Sequence, residues 1–304
     1  MKKIFIIILN FNGWENTTSC LDSIEKVELD PSYKLEIVVV DNASVDGSIS
    51  HLEKRKGITL IKNKENLGFS GGCNVGVKYG IEHEADFLVM LNNDTRVDHH
   101  FLNGLIKAFD DEKVGASVPK IYFEKGYEYH KEKYKKSELG HIIWYAGGVM
   151  DWDNLVGKNR GVDEVDHGQF DEESRTDLAT GCCLAVKVEV FKKIGFFDER
   201  YFLYYEDADL TKRIKAGGYD IFYEPSSIVW HKNAASSGSG SNLHDYYICR
   251  NRLLFGITYA SIRTKIALLR ESIKLFFSGR KWQRRGVLDF YIGRFGRGSF
   301  KITQ

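Results

Sequence analysis

Proline, paired cysteines and long apolar runs are all scarce in this chain of 304 residues. Only 3 prolines and no low-complexity tract argue against long disordered linkers. No apolar run reaches the roughly 18 residues that a membrane-spanning helix needs. Hydrophobic residues make up 43% and charged residues 28% of the chain, which is ordinary for a soluble globular protein. The length suits one large domain or two fused halves.

The N-terminal segment, MKKIFIIILNFNG, superficially resembles an export signal because two lysines precede an apolar run. That run ends at Asn10, and no small-x-small cleavage site follows it. We therefore predict a buried first strand. The 5 cysteines are an odd number with no CxxC pair, so without an export signal we expect reduced thiols in the cytoplasm.

The net charge of +1 conceals a strong asymmetry along the chain. Residues 250–304 carry 13 Lys/Arg against 2 Asp/Glu, so the preceding residues are acidic overall. Cations interleaved with aromatic residues suit a helix that meets an anionic membrane surface. A solvated helical pair or a homodimer interface would explain the same composition. Nucleic-acid binding is not expected, because the tail contains no recognition motif.

The first hundred residues alternate strand-like and helix-like segments. This alternation predicts βαβ units and a parallel sheet. The predicted strands are 4–9, 35–40, 58–61 and 87–91, and the predicted helices are 14–27, 44–55, 72–81 and about 99–110.

The remainder of the chain is less regular. Residues 119–177 are charged and aromatic, and we predict short strands and loops that cover one end of the sheet. Cys182 and Cys183 then open a predicted buried strand, which a short helix follows. A helix over 206–216 and two further strands are predicted next. A Gly/Ser hinge at Ser236–Ser241 precedes a long, basic segment with helical periodicity.

Polar residues follow three of the predicted strands, beginning at Asn10, Asp41 and Asn92. Ligands of parallel sheets bind at the carboxyl ends of the strands, so these residues are candidates for a binding site. Asp41 could accept a hydrogen bond from a nucleobase N–H, although helix capping by Asp41 or Ser44 explains it equally well.

Two motifs near these strand ends have both a functional and a structural interpretation. The glycines of NLGFSGGCNVG, residues 66–76, permit close approach of a ligand to a helix N-terminus, or simply tight packing. Asp94, after two asparagines, could bind Mg²⁺ or Mn²⁺, or the segment could be an Asx turn. His231 ends an apolar strand and is a structural donor unless Asp94 requires a second protein ligand.

Three carboxylates, Glu206, Asp207 and Asp209, open the helix predicted at 206–216. Acidic residues at a helix N-terminus complement the helix dipole. Here, however, they follow five large apolar or aromatic residues, 201–205. A carboxylate in an aromatic-walled cleft is a good general base, which favours a functional interpretation.

Seven segments in order resemble the GT-A-fold family 2 glycosyltransferases, and most closely their bacterial rhamnosyltransferase-like members. They are IILNFNG, VVVDNASVDGS, NLGFSGGCNVG, LNNDT, WYAGG, the long segment from TGCC to KAGGY, and PSSIVWH. The resemblance runs over about residues 4–235. It implies an α/β Rossmann-like GT-A fold with a mostly parallel central sheet, plus a helical C-terminal extension.

The resemblance also implies a domain division. Residues 1–240 would be the catalytic domain, with a nucleotide-sugar-binding half at 1–118 and an acceptor half at 119–240. Residues 241–304 would be the basic extension. The activity implied is inverting transfer of a sugar, from dTDP-rhamnose or a UDP-sugar, to a saccharide or polyprenyl-linked acceptor in bacterial surface polysaccharide synthesis. Such an enzyme would be cytoplasmic or peripheral on the inner face of the cytoplasmic membrane.

The implied roles map onto individual residues. Asp207 matches the catalytic base, and Asp94 and His231 match ligands of a divalent cation, Mn²⁺ or Mg²⁺. The residues that match the donor-binding segments are Asn10, Asn12, Asp41, Asn66, Gly71, Asn74 and Asn93. Gly147, Gly181 and Glu206 would border the donor sugar or the acceptor. Asparagine at both positions before Asp94 departs from the family's D-x-D motif, so a nucleotide-sugar-binding protein without turnover is the alternative.

Overall fold

The computed structural model of the protein describes residues 1–233 and 240–301. Within them, the strands are β1 (Lys2–Asn10), β2 (Tyr33–Asp41), β3 (Thr59–Lys62), β4 (Phe87–Asn92), β5 (Thr95–Val97), β6 (Val114–Phe123), β7 (Ile143–Tyr145), β8 (Gly148–Asp151), β9 (Val156–Asn159), β10 (Ser174–Arg175), β11 (Cys183–Lys187) and β12 (Asp220–His231). The α-helices are α1 (Trp14–Ile24), α2 (Ser48–Leu52), α3 (Gly68–Glu82), α4 (Phe101–Lys107), α5 (Val188–Ile194), α6 (Glu206–Ala216), α7 (Asn242–Tyr259), α8 (Ile262–Ser278) and α9 (Lys281–Tyr291). Two short 3-10 helices lie at Ala108–Asp110 and Lys131–Lys133.

One mixed sheet organises the molecule, in the order β10-β12-β6-β11-β4-β1-β2-β3. Strands β3, β2, β1 and β4 are parallel, whereas β11 runs antiparallel to both β4 and β6. The middle of β1, residues 4–8, is buried throughout, as expected of a strand that is covered on both faces. The predicted α/β fold with a mostly parallel central sheet is therefore confirmed.

Helix α3 lies unusually close to this sheet because glycine recurs on its inner face. A Cβ atom at Gly72, Gly76 or Gly80 would lie within 2.3 to 2.5 Å of side chains on β1 and β4. Tight packing therefore accounts for these glycines of the NLGFSGGCNVG region and for their continuation along the helix.

The structure corrects several predicted element boundaries. The helix predicted at 44–55 forms only at Ser48–Leu52. The two strands predicted before His231 are one strand, β12, with an irregularity between Glu224 and Ile228. The sequence did not reveal β6, whose ten residues are all buried in the middle of the sheet. Its Pro119 and Lys120 conceal the strand pattern, yet Lys120 is buried and pairs with Asp166 and Asp171.

The basic C-terminal segment, predicted to be helical, forms three helices. Ser261 follows the end of α7 and caps α8, since its Oγ accepts a hydrogen bond from the Thr264 amide at 3.2 Å. Most of the hinge predicted at Ser236–Ser241 lies outside the described residues, but Ser241 caps α7 in the same way. Among the described helices, none has both the length and the apolar content to cross a bilayer.

Helix α7 packs on the segment that precedes α6, and α8 and α9 pack on α7. Tyr247 of α7 stacks on Phe202 with ring centroids 5.2 Å apart. A second cluster joins Tyr201 to Leu253 and Phe255 of α7. The predicted division at residue 118 falls within β6, so the sheet is continuous across it.

Candidate active site

A chain of buried and half-buried polar side chains joins the carboxyl ends of β2, β1 and β4. Asn10 Nδ2 donates to Asp41 Oδ2 at 2.7 Å, and Asn10 Oδ1 accepts from Thr17 Oγ1 at 2.7 Å. Asn93 Nδ2 in turn donates to Thr17 Oγ1 at 3.0 Å. The second oxygen of Asp41 accepts from the Ser44 amide at 2.9 Å. We call Asn10, Thr17, Asp41 and Asn93 the strand-end network.

Two other residues of the predicted donor site fix the loops beside this network. Asn12 Oδ1 accepts from the Val45 amide at 2.8 Å. Asn66 Oδ1 accepts from the Gly68 amide at 2.8 Å, directly before α3. The structure therefore brings Asn10, Asn12, Asp41, Asn66 and Asn93 to one edge of the sheet.

The pairing of β5 with β12 brings Asp94 and His231 together. His231 lies opposite Thr95 in this antiparallel ladder, one residue from Asp94. As a result, His231 Nε2 lies 3.1 Å from Asp94 Oδ1. His231 is 5% exposed, and its Nδ1 has no hydrogen-bond partner among the described residues. Sequence reasoning missed β5, which is the element that makes the pair.

These two side chains fit a divalent cation. Carboxylate oxygen and imidazole nitrogen are both accepted by Mn²⁺-type ions. Two ligands at adjacent corners of an octahedron with bonds of about 2.1 Å would lie about 3 Å apart, close to the separation observed. The same separation suits a direct hydrogen bond. No group of three or more His, Cys, Asp or Glu side chains that could hold a metal occurs in the described parts of the chain.

The segment before α6, Tyr-Phe-Leu-Tyr-Tyr at 201–205, is the aromatic loop. Three of its residues have left-handed backbone conformations, with φ of +63° at Phe202, +68° at Tyr204 and +72° at Tyr205. For bulky side chains such conformations cost about 1 kcal/mol or more each, and they cluster at functional sites. The aromatic loop delivers Glu206 and Asp207 to the first turn of α6.

The Asp207 carboxylate is held by backbone amides. Its Oδ2 accepts from the Gly181 amide at 3.2 Å, and its Oδ1 accepts from the Ala208 amide at 2.8 Å. Burial raises the pKa of Asp207 above its ordinary value, although these amides oppose the shift. Loss of hydration suits a general base, because it brings the carboxyl pKa nearer to neutral pH.

Glu206 has less compensation than its neighbour, since only the amide of its own residue opposes the shift of its pKa. It is 6% exposed, and its Oε2 has no hydrogen-bond partner within the described residues. Burial, and then the nearby Asp207 charge, raise the Glu206 pKa well above its usual value. A protonated Glu206 beside an ionised Asp207 is the arrangement that these shifts favour.

Residues 181–183 connect the two sides of the site. Gly181 donates to Asp207, and the Cys182 carbonyl accepts from the Asn92 amide at 2.8 Å. Asn92 is two residues before Asp94. Cys182 and Cys183 are buried side by side, as their apolar surroundings in the sequence suggested.

Three predicted site residues have their contacts outside the strand-end network. Asn74 Nδ2 donates to the Phe197 carbonyl and to Glu199 Oε1, both at 2.9 Å. Gly71 faces Leu67, and the nearest neighbours of Gly147 are Arg160 and Thr176.

Sequence reasoning missed Thr17 and the left-handed backbone of the aromatic loop. Thr17 lies one turn after Gly13, at the start of the helix that follows β1. That position was the available signal, because a hydroxyl there can reach both strand ends.

The model of the family described as "Glycosyl transferase family 2" matches residues 5–195. Among curated relatives, a low-salt glycan biosynthesis hexosyltransferase of Haloferax volcanii is 25% identical over 73% of this chain and 64% of its own length. An N-acetylglucosaminyl-diphospho-decaprenol L-rhamnosyltransferase of Mycobacterium tuberculosis is 26% identical over 69% of this chain and 70% of its own. A dTDP-rhamnosyl transferase of Shigella flexneri is 25% identical over 72% of this chain and 69% of its own length.

Solved structures show the same fold. A GalNAc-transferase solved with UDP, GalNAc and Mn²⁺ aligns with a TM-score of 0.61 at 16% identity, over 89% of this chain and 54% of its own. A mannosyltransferase of Pyrobaculum calidifontis, in complex with GDP-Man and Mn²⁺, aligns with a TM-score of 0.55 at 17% identity. The alignment covers 98% of this chain and 76% of the mannosyltransferase. The expected GT-A fold is thus confirmed. With a family model that matches more than half of its length, this chain belongs to glycosyl transferase family 2 and is of the rhamnosyltransferase-like kind.

Proposed function

We propose that this chain is an inverting glycosyltransferase that moves rhamnose or a hexose from a nucleotide-diphospho-sugar to a hydroxyl of a saccharide or polyprenyl-linked acceptor. The names of the curated relatives support rhamnosyl or hexosyl transfer in glycan synthesis. dTDP-rhamnose is the first donor to test and UDP-hexoses are the next. Residues 1–240 would carry catalysis, with donor contacts mainly before residue 118 and acceptor contacts after it.

Asp207 is the proposed general base. The acceptor oxygen forms a bond to the anomeric carbon while the bond from that carbon to the diphosphate oxygen breaks. The electron pair leaves with the nucleoside diphosphate, and the acceptor proton moves to Asp207. Burial and the nearby Asp207 charge raise the pKa of Glu206, which disfavours an anionic nucleophile at that position. A single displacement with inversion follows.

The strand-end network would hold the nucleotide, with Asp41 nearest the base and Asn93 nearest the ribose. Asp94 and His231 would hold a divalent cation. Such an ion neutralises charge on the departing diphosphate. The observation that best supports the proposal is the Asp207 carboxylate, which has a raised pKa and is joined through residues 181–183 to the strand end that carries Asp94.

The test is a panel of dTDP-, UDP- and GDP-sugars, scored by thermal shift and by release of nucleoside diphosphate with Mn²⁺, Mg²⁺ or EDTA. Transfer is then followed with saccharide and polyprenyl-diphosphate-linked acceptors, and the anomeric configuration of the product is read by NMR. Turnover with inversion is expected. Binding of a nucleotide-sugar with no hydrolysis or transfer across the panel would instead indicate a binding protein.

A membrane-facing role for α8 is the second part of this proposal. Ile262, Ile266, Ile273 and Phe277 are 79%, 48%, 56% and 75% exposed and fall on one face of the helix. Basic residues accompany them along α8, namely Arg263, Lys265, Arg270 and Lys274. A helix with this pattern can lie in an anionic lipid interface. A lipid-linked acceptor, which the mycobacterial relative's name specifies for that protein, would be presented there.

Flotation with vesicles of anionic or neutral lipid tests this role. Wild-type protein should float with anionic vesicles only, whereas the double variant Ile273→Glu with Phe277→Glu should remain in solution. Arg55→Ala, which removes ion pairs with Asp22 and Glu25 in the N-terminal part of the chain, is the control. Binding that persists in the double variant, or a wild-type dimer that the variant disrupts, would contradict a lipid-facing α8.

A further inference from the structure

Helix α7 places two adjacent, fully buried polar residues, Arg250 and Asn251, against the aromatic loop. The Asn251 Nδ2 donates to the carbonyl oxygens of Tyr201, Leu203 and Tyr204 at 2.7, 2.8 and 2.8 Å. The two N–H bonds of one side-chain amide are thus shared among three backbone carbonyls of one five-residue loop.

Arg250 completes this arrangement. Its Nη2 donates to the carbonyls of Arg200 and Tyr201 at 3.1 and 3.0 Å, and its Nη1 donates to the Gly296 carbonyl at 2.7 Å. Its Nε donates to Asn251 Oδ1 at 2.9 Å. This last bond fixes the orientation of the Asn251 amide, because it leaves the NH₂ group facing the loop.

The backbone conformation of the aromatic loop explains why these hydrogen bonds are needed. Left-handed backbone at Phe202, Tyr204 and Tyr205 persists only where the surroundings over-determine it. On its other side, the Phe202 carbonyl accepts from the Phe69 amide at 2.7 Å, at the start of α3. The loop is therefore fixed between α3 and α7, and it ends directly at Glu206 and Asp207.

Simple docking of the C-terminal helices would not need these two residues. Apolar side chains such as those of Leu253 and Phe255 already join α7 to the rest of the protein. A guanidinium buried largely against neutral carbonyls is costly, and it is retained where its directional hydrogen bonds matter.

We propose that Arg250 and Asn251 are positioning residues for catalysis, holding the aromatic loop so that the Asp207 carboxylate keeps its place beside Gly181. The C-terminal helices thereby belong to the catalytic apparatus, although neither residue touches the reacting atoms. This inference rests on the proposed function of Asp207.

The principal variant is Asn251→Asp, which keeps the shape of the side chain but turns an acceptor toward three carbonyls. We expect kcat to fall about 10²-fold, as for a small misplacement of a catalytic group, with little change in the donor KM. The displaced Asp207 should be better hydrated, which lowers its pKa. The acid limb of the kcat profile should therefore move to lower pH.

A second pair of variants tests Arg250. Arg250→Lys keeps a cationic donor and should retain more kcat than Arg250→Met. Arg252→Ala is the matched control on the same helix, since Arg252 donates to the Asn154 carbonyl and pairs with Glu271 instead of the loop. It should leave kcat, KM and the pH profile unchanged.

Hydrogen exchange of the amides in 200–208 supplies a measurement that does not depend on turnover. Exchange there should accelerate in Asn251→Asp and remain as in wild type in Arg252→Ala. A folded Asn251→Asp protein with wild-type exchange and kcat overturns the proposal. So does a loss of kcat that merely matches the loss of folded protein, with an unmoved pH profile. If the wild type transfers no sugar, the proposed function of Asp207 fails, and exchange alone decides whether α7 holds the loop.

Discussion

The two sides of the candidate site hold a carboxylate in different ways. On the donor side, Asp41 is buried but accepts from Asn10 and from the Ser44 amide, inside the strand-end network. On the acceptor side, Asp207 follows a loop with three left-handed residues, and its neighbour Glu206 has an oxygen without a partner in the described structure.

The difference corresponds to two tasks. A site that recognises a nucleotide benefits from polar groups that are fixed in advance, so that little ordering is needed on binding. A site that takes a proton benefits from a carboxylate with a raised pKa, which requires burial. The strain near Asp207 is offset elsewhere, by the hydrogen bonds from α7. Variants on the two sides should therefore fail in different ways.

The largest effect is expected from Asp207→Asn. The substitution preserves shape but removes the base, so kcat should fall about 10²- to 10⁴-fold. Nucleotide binding, measured by calorimetry with the nucleoside diphosphate, should stay within a few-fold of wild type because the donor side is intact. Asp220→Asn, which removes an exposed pair with Arg175, is the control. Appreciable turnover in Asp207→Asn would move the base elsewhere.

Asp94→Ala should have the next largest effect, and on binding. Loss of one ligand from the Asp94–His231 pair should weaken Mn²⁺-dependent donor affinity about 10- to 100-fold. With EDTA present, variant and wild type should bind the donor equally. An affinity that is the same as wild type with Mn²⁺ would show that the cation binds at another place, or that the pair is only a hydrogen bond.

Much of this comparison could be read from the sequence, but not all of it. Local patterns predicted the parallel strands and the polar residues at their ends, because burial and turn chemistry are local. The meeting of Asp94 with His231 depends on β5, a three-residue strand too short for any periodic signal. The hydrogen bonds from Asn251 to the aromatic loop join residues about fifty positions apart. A polar residue within a helical pattern gives no indication of which residue it contacts.

Thr17→Val breaks the strand-end network without changing its shape. It leaves the side-chain oxygen of Asn10 and the side-chain NH₂ group of Asn93 without the hydroxyl that both contact. This loss should lower the free energy of unfolding by about 1–3 kcal/mol. Donor affinity should weaken a few-fold, whereas kcat at saturating donor should change little. Thr17→Ser keeps the hydroxyl and should behave as wild type in both denaturant unfolding and donor titration. A loss in Thr17→Ser together with wild-type behaviour of Thr17→Val would instead point to packing of the methyl group, which Val retains and Ser lacks.

The smallest effect on turnover concerns Glu206, whose raised pKa makes a prediction of definite sign for stability. The folded state binds this proton more tightly than the unfolded state, in which the pKa is near 4.3. Wild-type stability should therefore decline as pH rises from about 4 toward the folded pKa, by about 1.4 kcal/mol for each unit of the shift.

Glu206→Gln is a neutral mimic of the protonated acid and should lack this decline, so its advantage over wild type in urea unfolding should grow with pH. The acid limb of kcat should not move in this variant, because Asp207 ionises while Glu206 is still protonated. If the acid limb disappears instead, the titrating base is Glu206, and the assignment of roles within the Glu-Asp pair is reversed. The contrast between the two sides of the site would then hold, but with its proton acceptor one residue earlier on α6.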